Sequence, residues 1–426
     1  MQTRVMKAFG DPGRDRQVME EAGRIIRAGG LVAIPTETVY GLAGDALRPE
    51  SSKKIYEAKG RPSDNPLIVH IARLEDLDRI ARDIPGEAYA LAGRYWPGPL
   101  TMVLNKKEIV PRETTGGLDT VAVRFPVNKI AQEFILASGG FIAAPSANLS
   151  GRPSCTRAEH CLADLEGRIE LIIDGGEVGI GLESTIVDLT GDVPCILRQG
   201  YINEAMLKEA LGNISRDTST DGHPKAPGMK YRHYAPKGRL TIVKGDSERV
   251  AARIKELLQE HEGRGERAAV ISAHEHADMY RVPISDQDED RIRDPKRDHD
   301  GDRSRDLNCD QDGDRIRDLN CDQDRDRISD PKRDQDGDQS SDLNCDQDGD
   351  RSNDLYRDQD EGRYRVYDLG SLQDEDVIAH RLFAVLRELD DEGMEYIYSE
   401  SFDTPRLGEA IMDRLMRAAG HNVIQA

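Results

Sequence analysis

Residues 18–35, VMEEAGRIIRAGGLVAIP, decide the fold class. Val18, Ala22, Ile25 and Ile26 recur at helical spacing. Gly29-Gly30 offers a left-handed cap to end that helix. The run 31–35 (LVAIP) is short and apolar on both faces, as in a buried strand. Helix and strand alternate in this way over the first ~215 residues, with further strands expected at 67–71, 100–104, 120–125, 141–144, 169–173, 184–189 and 195–198. Many are apolar on both faces, which predicts an α/β fold with a sheet covered by helices.

Beyond this block, residues 215–238 read as a polar linker ending in APGMKYRHYAP. A second, smaller α/β domain is expected over 239–426, with strands at 239–244, 268–272, 364–369 and 395–399 and helices at 247–262, about 375–392 and about 405–419. It is interrupted at 290–361 by six units of twelve residues, such as DRSRDLNCDQDG at 302–313. The repeated unit points to duplication. These 72 residues hold 25 acidic, 14 basic and 11 apolar side chains. Such a composition cannot bury enough apolar surface to offset chain entropy, so a disordered insert is expected. Asp310, Asp312 and Asp314 around Gly313 resemble acidic calcium repeats. They lack the sixth-position glycine and twelfth-position glutamate of an EF-hand, and the solvated insert is the reading adopted.

The insert accounts for much of the charge. The whole chain of 426 residues carries 59 basic and 80 acidic side chains, a net −21, and the insert contributes 14 − 25 = −11 of it. The remaining 354 residues have an ordinary soluble composition, enough for two cores. The acidic balance argues against broad, sequence-independent nucleic-acid binding. No apolar run approaches the ~20 residues of a membrane span, and MQTRVMKAFG has no signal-peptide core. Six scattered cysteines fit a reducing cytoplasm better than a disulfide scaffold.

Neither a Walker A pattern nor G-x-G-x-x-G occurs, so a nucleotide would bind by another device. In 33–44 (AIPTETVYGLAG), Thr36 and Thr38 stand at the carboxyl end of a strand, where open sheets place ligands; capping of a following helix is the competing reading. Lys59 and Arg61 flank Gly60 on a loop entering a strand, a pairing suited to a polyanion such as triphosphate. His70 lies in an apolar strand, where a hydrogen-bonded core residue is the commoner reading. Residues 95–101 (YWPGPLT) read as a rigid turn. Arg124, in the apolar strand TVAVRFP, needs an anionic partner, either a protein carboxylate or a substrate carboxylate. Small and hydroxylic residues follow at 143–154 (AAPSANLSGRPS, with Ser146, Asn148 and Ser154) and 181–187 (GLESTIV, with Ser184 and Thr185); Arg198 ends the next strand. Together these polar loops at strand ends are the parts of a composite pocket.

PTETVYGLA, KGRPSDNPLIVHI, WPGPLT, LDTVAVRFP, APSANLSG, ESTI and APGMKYRHYAP, in this order, resemble the threonylcarbamoyl-AMP synthase family in its long two-domain form. The pair Lys59-x-Arg61 and Ser146-x-Asn148 matches the family signature. The resemblance implies a YrdC-like open twisted mixed sheet with flanking helices over 1–214, a linker or lid at 215–238, and a smaller Rossmann-like α/β domain. It implies that L-threonine, bicarbonate or CO2 and ATP, with Mg2+, give threonylcarbamoyl-AMP and pyrophosphate, for transfer to tRNA by a separate transferase complex. Lys59 and Arg61 would be catalytic. Thr36, His70, Arg124 and Ser184 would hold threonine. Lys59, Arg61, Thr120, Ser146, Asn148, Ser154, Arg198 and Tyr234 would hold ATP. The motif 226–236, with Tyr231, His233 and Tyr234, would be the lid. The competing class is an RNA-binding module of the same fold, contacting tRNA or double-stranded RNA through Lys53, Lys54, Lys59 and Arg61. No membrane partner is expected.

Overall fold

The structure, a computed structural model, describes residues 2–217, 233–281 and 364–426. The repeats, Tyr231 and most of the expected linker lie outside the described residues.

The first helix, Pro12–Arg27, begins at Asp11, whose side chain accepts from the Arg14 N–H, and carries proline in its first turn. It ends where the double glycine predicts, with Gly29 at φ +82°. Twelve strands make one mixed sheet: β1 (Arg4–Lys7), β2 (Val32–Ile34), β3 (Gly41–Asp45), β4 (Ile68–His70), β5 (Ala81–Arg82), β6 (Leu100–Lys106), β7 (Thr120–Arg124), β8 (Ile142–Ala143), β9 (Leu171–Asp174), β10 (Thr185–Asp188), β11 (Cys195–Arg198) and β12 (Ser215–Arg216). Their order is β1-β9-β2-β3-β8-β4-β7-β6-β10-β11-β12, with β5 beside β6.

All eight strands expected from apolar runs in this part are present, shortened by a residue or two at most ends. The strands β1, β3, β5 and β12 were not expected. β1 is mostly exposed along its length, and GLAGD in β3 carries two glycines and reads as a turn. Helix capping by Thr36 and Thr38 is corrected, because the next element is β3 rather than a helix. β12 pairs with β11, so the first sheet extends two residues beyond 214.

Strand alternation divides the sheet into two faces. Val69, Val121, Val123 and Met102 point into the main core, beneath the helices Pro49–Lys59, Gly86–Tyr95, Ala158–Leu165 and Glu204–Leu211. On the other face, Val32, Ile34, Ala43 and Ile142 pack under Pro12–Arg27 and Lys129–Ala137. Those two helices cover the β9-β2-β3-β8 end of that face. Farther along it, Ile68, Val103, Ala122 and Ile186 form only a small cluster. The functional residues lie where this second helical layer stops.

The remaining strands are β13 (Arg239–Lys244), β14 (Ala268–Ser272), β15 (Arg365–Asp368), β16 (Tyr396–Ser399) and β17 (Val423–Gln425). All pair in parallel, in the order β15-β14-β16-β13-β17. Parallel neighbours require crossover connections, and the helices Ser247–Gly263, Glu375–Asp391 and Gly408–Ala418 are such crossovers. β17 and the short helix His274–Tyr280 are additions to the sequence reading.

The two sheets share an apolar contact in which Val39 and Leu182 pack with Ile378, Ala379, Leu382 and Phe383. Gly181, at φ +80°, lies directly against the helix Glu375–Asp391. A Cβ there would sit 2.6 Å from the Cα of His380. Two arginines of the second domain also cross the contact. Arg387, 3% exposed, donates to the carbonyl of Pro153 at 2.6 Å and to the buried carboxylate of Asp164 at 3.0 Å. Arg414 is fully buried beside Glu183.

Candidate functional site

Ile68 and His70 are two residues apart on β4 and therefore face the same side, while Val69 between them enters the core. His70 pairs with Arg124 on the parallel neighbour β7, and Arg124 pairs with Thr101 on β6. Ile68, His70 and Arg124 form the floor of a cleft that opens to solvent at its mouth. Loop residues close it: Thr36, Thr38 and Val39 on one side, Ser146, Glu183 and Ser184 on others, with Arg61, Arg198, His233 and Tyr234 completing the lining. The pocket therefore lies on the open face of the sheet and not only beyond the strand ends.

At the inner end, Arg124 is 4% exposed and its Nη2 donates to Glu37 Oε1 at 2.7 Å. Its Nε donates to the carbonyl of Gly98 at 3.4 Å, which is what the rigid turn at 95–101 supplies. Thr36 ties its own turn together, donating to the Val39 carbonyl at 2.6 Å. Ser184 is held by Thr101, hydroxyl to hydroxyl at 2.7 Å, and by the Arg198 guanidinium, which donates to its carbonyl at 2.9 and 3.1 Å. His70 donates from Nδ1 to the Ile68 carbonyl at 3.2 Å, which leaves Nε2 as the acceptor. It is thus both a bonded core histidine and part of the cleft.

At the other end, Lys59 explains why two separated motifs go together. Its Nζ donates to the carbonyl of Ser146 at 2.5 Å and to that of Asn148, so the lysine of one motif pins the backbone of the other. Burial, with Arg61 nearby, lowers its pKa to about 7. Burial likewise lowers Arg61 to about 10. Among the described residues, neither cation has a carboxylate within salt-bridge distance.

Not every expected residue lines the cleft. Lys59 and Asn148 stand behind it, and Asn148 spends its amide on the carbonyls of Leu149 and Arg152, leaving a buried Oδ1 without a partner among the described residues. Ser154 is fully buried and donates to Glu183 Oε1 at 2.6 Å. Thr120 shares the face but begins β7, about 13 Å along the strand from Arg124, outside the lining. Tyr234, at φ +64°, packs on Phe383 of the second domain, and burial raises its hydroxyl to about 12. The neighbouring His233 lines the cleft with a buried Nε2 that has no partner among the described residues. Among the described residues, the four cations of the RNA-binding reading do not form one exposed patch. Lys59 and Arg61 are buried, Lys54 donates to the Gly29 carbonyl and Lys53 pairs with Glu113.

Three histidines make folding pH-dependent. Burial lowers His70, His160 and His233 to about 3, so all are neutral in the fold. The unfolded chain takes up their protons first, near 6.5. Their stabilisation is therefore present above pH 6.5 and is lost as pH falls toward 3. Thermal unfolding of the full chain is expected to shift steadily downward between pH 6.5 and 4.5, with a shallower slope in His70→Gln. An unchanged slope in that variant would remove His70 from the account.

A buried cationic cleft on the open face of a mixed sheet, with an arginine and a hydroxyl at one end and Arg61, backed by Lys59, at the other, defines a site for small anionic substrates. A family model described as "Telomere recombination", Sua5/YciO/YrdC, matches residues 24–200, and one described as "Threonylcarbamoyl-AMP synthase, C-terminal domain" matches 202–420. The chain belongs to the threonylcarbamoyl-AMP synthase family in its two-domain form. It is 38% identical to the threonylcarbamoyl-AMP synthase of Pyrococcus abyssi over 95% of this chain and 94% of the relative. It is 36% identical to that of Bacillus subtilis over the same shares. The crystal structure of P. abyssi Sua5 complexed with L-threonine is similar over 100% of both chains, with a TM-score of 0.74 and 36% identity.

Glu37, Glu183 and Arg414 are the important residues that the sequence reading missed. Glu183 adjoins Ser184 within GLESTIV and could have been noticed there. Nothing local marks Arg414, which reaches Glu183 across 231 residues of chain.

Proposed function

We propose that the cleft binds L-threonine and ATP and produces threonylcarbamoyl-AMP and pyrophosphate. The observation that carries this reading is the meeting in one cleft of two unlike ends. One has a buried arginine beside hydroxyls, suited to an amino-acid carboxylate. The other has buried cations suited to phosphates.

Arg124 takes the threonine carboxylate, while Thr36, His70 and Ser184 surround the amino acid. Arg61, Arg198 and Ser146 take the nucleotide, with Tyr234 along its side. Lys59 acts from behind Ser146, and Asn148 and Ser154 act through the loops they hold. Thr120 can meet only a distal part of ATP. The reaction is led by its substrates. The threonine amine attacks CO2, or bicarbonate with loss of water, and gives up a proton. The carbamate oxygen then attacks the α-phosphorus of ATP, and the bond to pyrophosphate breaks. Lys59 and Arg61 stabilise the charge that develops there, and burial in the cleft limits the water that reaches the carbamate.

Magnesium accompanies ATP in this reading. Among the described residues no group of three His, Cys, Asp or Glu is arranged to hold a metal, and Glu37 and Glu183 are both engaged by arginines. The described residues therefore do not themselves offer a magnesium site, and no step is assigned to one. The product passes to a separate tRNA threonylcarbamoyl transferase complex. We place the reaction in the cytoplasm; among the described residues no helix is long and apolar enough to cross a membrane.

Pyrophosphate release from ATP, magnesium and bicarbonate tests this reading. Release should require L-threonine. Release indifferent to threonine would overturn the amino-acid end.

A further inference from the structure

Glu183 is the one carboxylate among the described residues lining a cleft that is otherwise cationic. A free carboxylate there would repel a triphosphate. It is not free. Its Oε1 accepts from Ser154 Oγ at 2.6 Å, and its Oε2 accepts from Arg414 Nε at 3.2 Å. Arg414 also donates from Nη2 to the Glu183 backbone carbonyl at 3.4 Å and from Nη1 to the carbonyl of Gln199. It is 0% exposed and comes from the helix Gly408–Ala418 of the second domain. One guanidinium thus grips the backbone just before the site's hydroxyl, at Glu183, and just after its cation, at Gln199. On the opposite side, Arg198 holds the carbonyl of Ser184. Gly200 completes the close fit: a Cβ there would meet the Glu183 carbonyl at 2.7 Å.

We infer that Arg414 is a positioning residue for catalysis: it neutralises Glu183 so that the cleft accepts a triphosphate, and it makes the second domain part of the working site. This inference rests on the ATP-dependent reading above. It gives the second domain a task that packing alone would not require. An apolar side chain could fill the same space, but it would leave Glu183 charged and unpaired beside the nucleotide.

The test is a double-mutant cycle on the full chain with Arg414→Gln, Glu183→Gln and the double variant, following pyrophosphate release as ATP and threonine are varied. Arg414→Gln should raise KM for ATP about tenfold or more, with kcat within about threefold. Adding Glu183→Gln should recover most of that loss, since both charges are then gone. A merely structural arginine would lower the yield of folded enzyme, and the second substitution would not restore nucleotide affinity. The inference is overturned if Arg414→Gln leaves KM for ATP within about twofold of wild type, or if the double variant is no better than the single one. Should Arg414→Gln fail to fold, the double variant decides: a KM for ATP near wild type supports the inference and a tenfold rise ends it. Equilibrium binding of ATP to the same proteins separates the two readings. If wild type shows no threonine-dependent release, the proposed function fails, while the ATP dissociation constants still report on Arg414.

Discussion

Lys59→Ala is expected to lower kcat/KM for threonine-dependent pyrophosphate release by about three orders of magnitude. Two losses combine. A cation behind the phosphate end disappears, and the carbonyls of Ser146 and Asn148 lose the donor that fixes them. A buried carbonyl left without its partner costs about 1–3 kcal/mol, so the loop that carries Ser146 should also loosen. The pH profile supplies an independent check. Burial puts the Lys59 pKa at about 7, below its ordinary 10.5, so the free enzyme loses this charge as pH rises through neutrality. Triphosphate favours the protonated form. The value of kcat/KM for ATP should therefore fall above about pH 7, and Lys59→Arg should move that fall to higher pH. A flat profile from pH 6.5 to 9 would mean that Lys59 stays charged.

The second large effect is expected at the amino-acid end. Arg124→Gln should raise KM for threonine about 100-fold and change KM for ATP far less, because hydrogen bonds to charged groups are worth about 1.5–3 kcal/mol each. Substitution also strands Glu37, whose Oε2 already has no partner among the described residues. Its unpaired charge would then oppose the incoming carboxylate. Glu37→Gln in the Arg124→Gln background should recover part of the threonine affinity, and saturation kinetics with both substrates will separate the terms. Equal damage to both KM values would show that Arg124 supports the cleft as a whole and does not select the amino acid.

The legible part of this molecule was the part written in short-range pattern. Apolar runs bounded by glycine located the central strands, because a buried strand must be apolar whatever surrounds it. β3 escaped because its glycines serve close packing: a Cβ at Gly44 would press on Ile55 at 3.1 Å, which is a tertiary reason with no local signature. Arg124 was recognised as needing an anion, but the sequence could not choose between Glu37 and a substrate. The structure gives Glu37 to Nη2 and the Gly98 carbonyl to Nε, and leaves Nη1 without a partner among the described residues. Ser146, Arg61 and Ser184 were found from their residue types and spacing. Asn148 and Ser154 were found too, yet their side chains serve neighbouring loops, a distinction that spacing cannot express. Arg387 and Arg414 were invisible, since a helical arginine in sequence looks like a solvated one until its partner domain is in place.

The helix His274–Tyr280 and the strand β15 are consecutive described elements, and the hydroxyl of Tyr364 donates to the carbonyl of Tyr280 at 2.7 Å. Tyr280 in turn anchors its own hydroxyl on Glu400 at 2.5 Å. The two chain ends on either side of residues 282–363 are thus riveted to each other and to the sheet. A fold sewn shut at such a seam is indifferent to how much chain is paid out between the stitches. Lengthening by whole twelve-residue units asks nothing of the parallel strands on either side. Adding or removing a whole unit is therefore expected to leave the cleft on the other sheet unchanged.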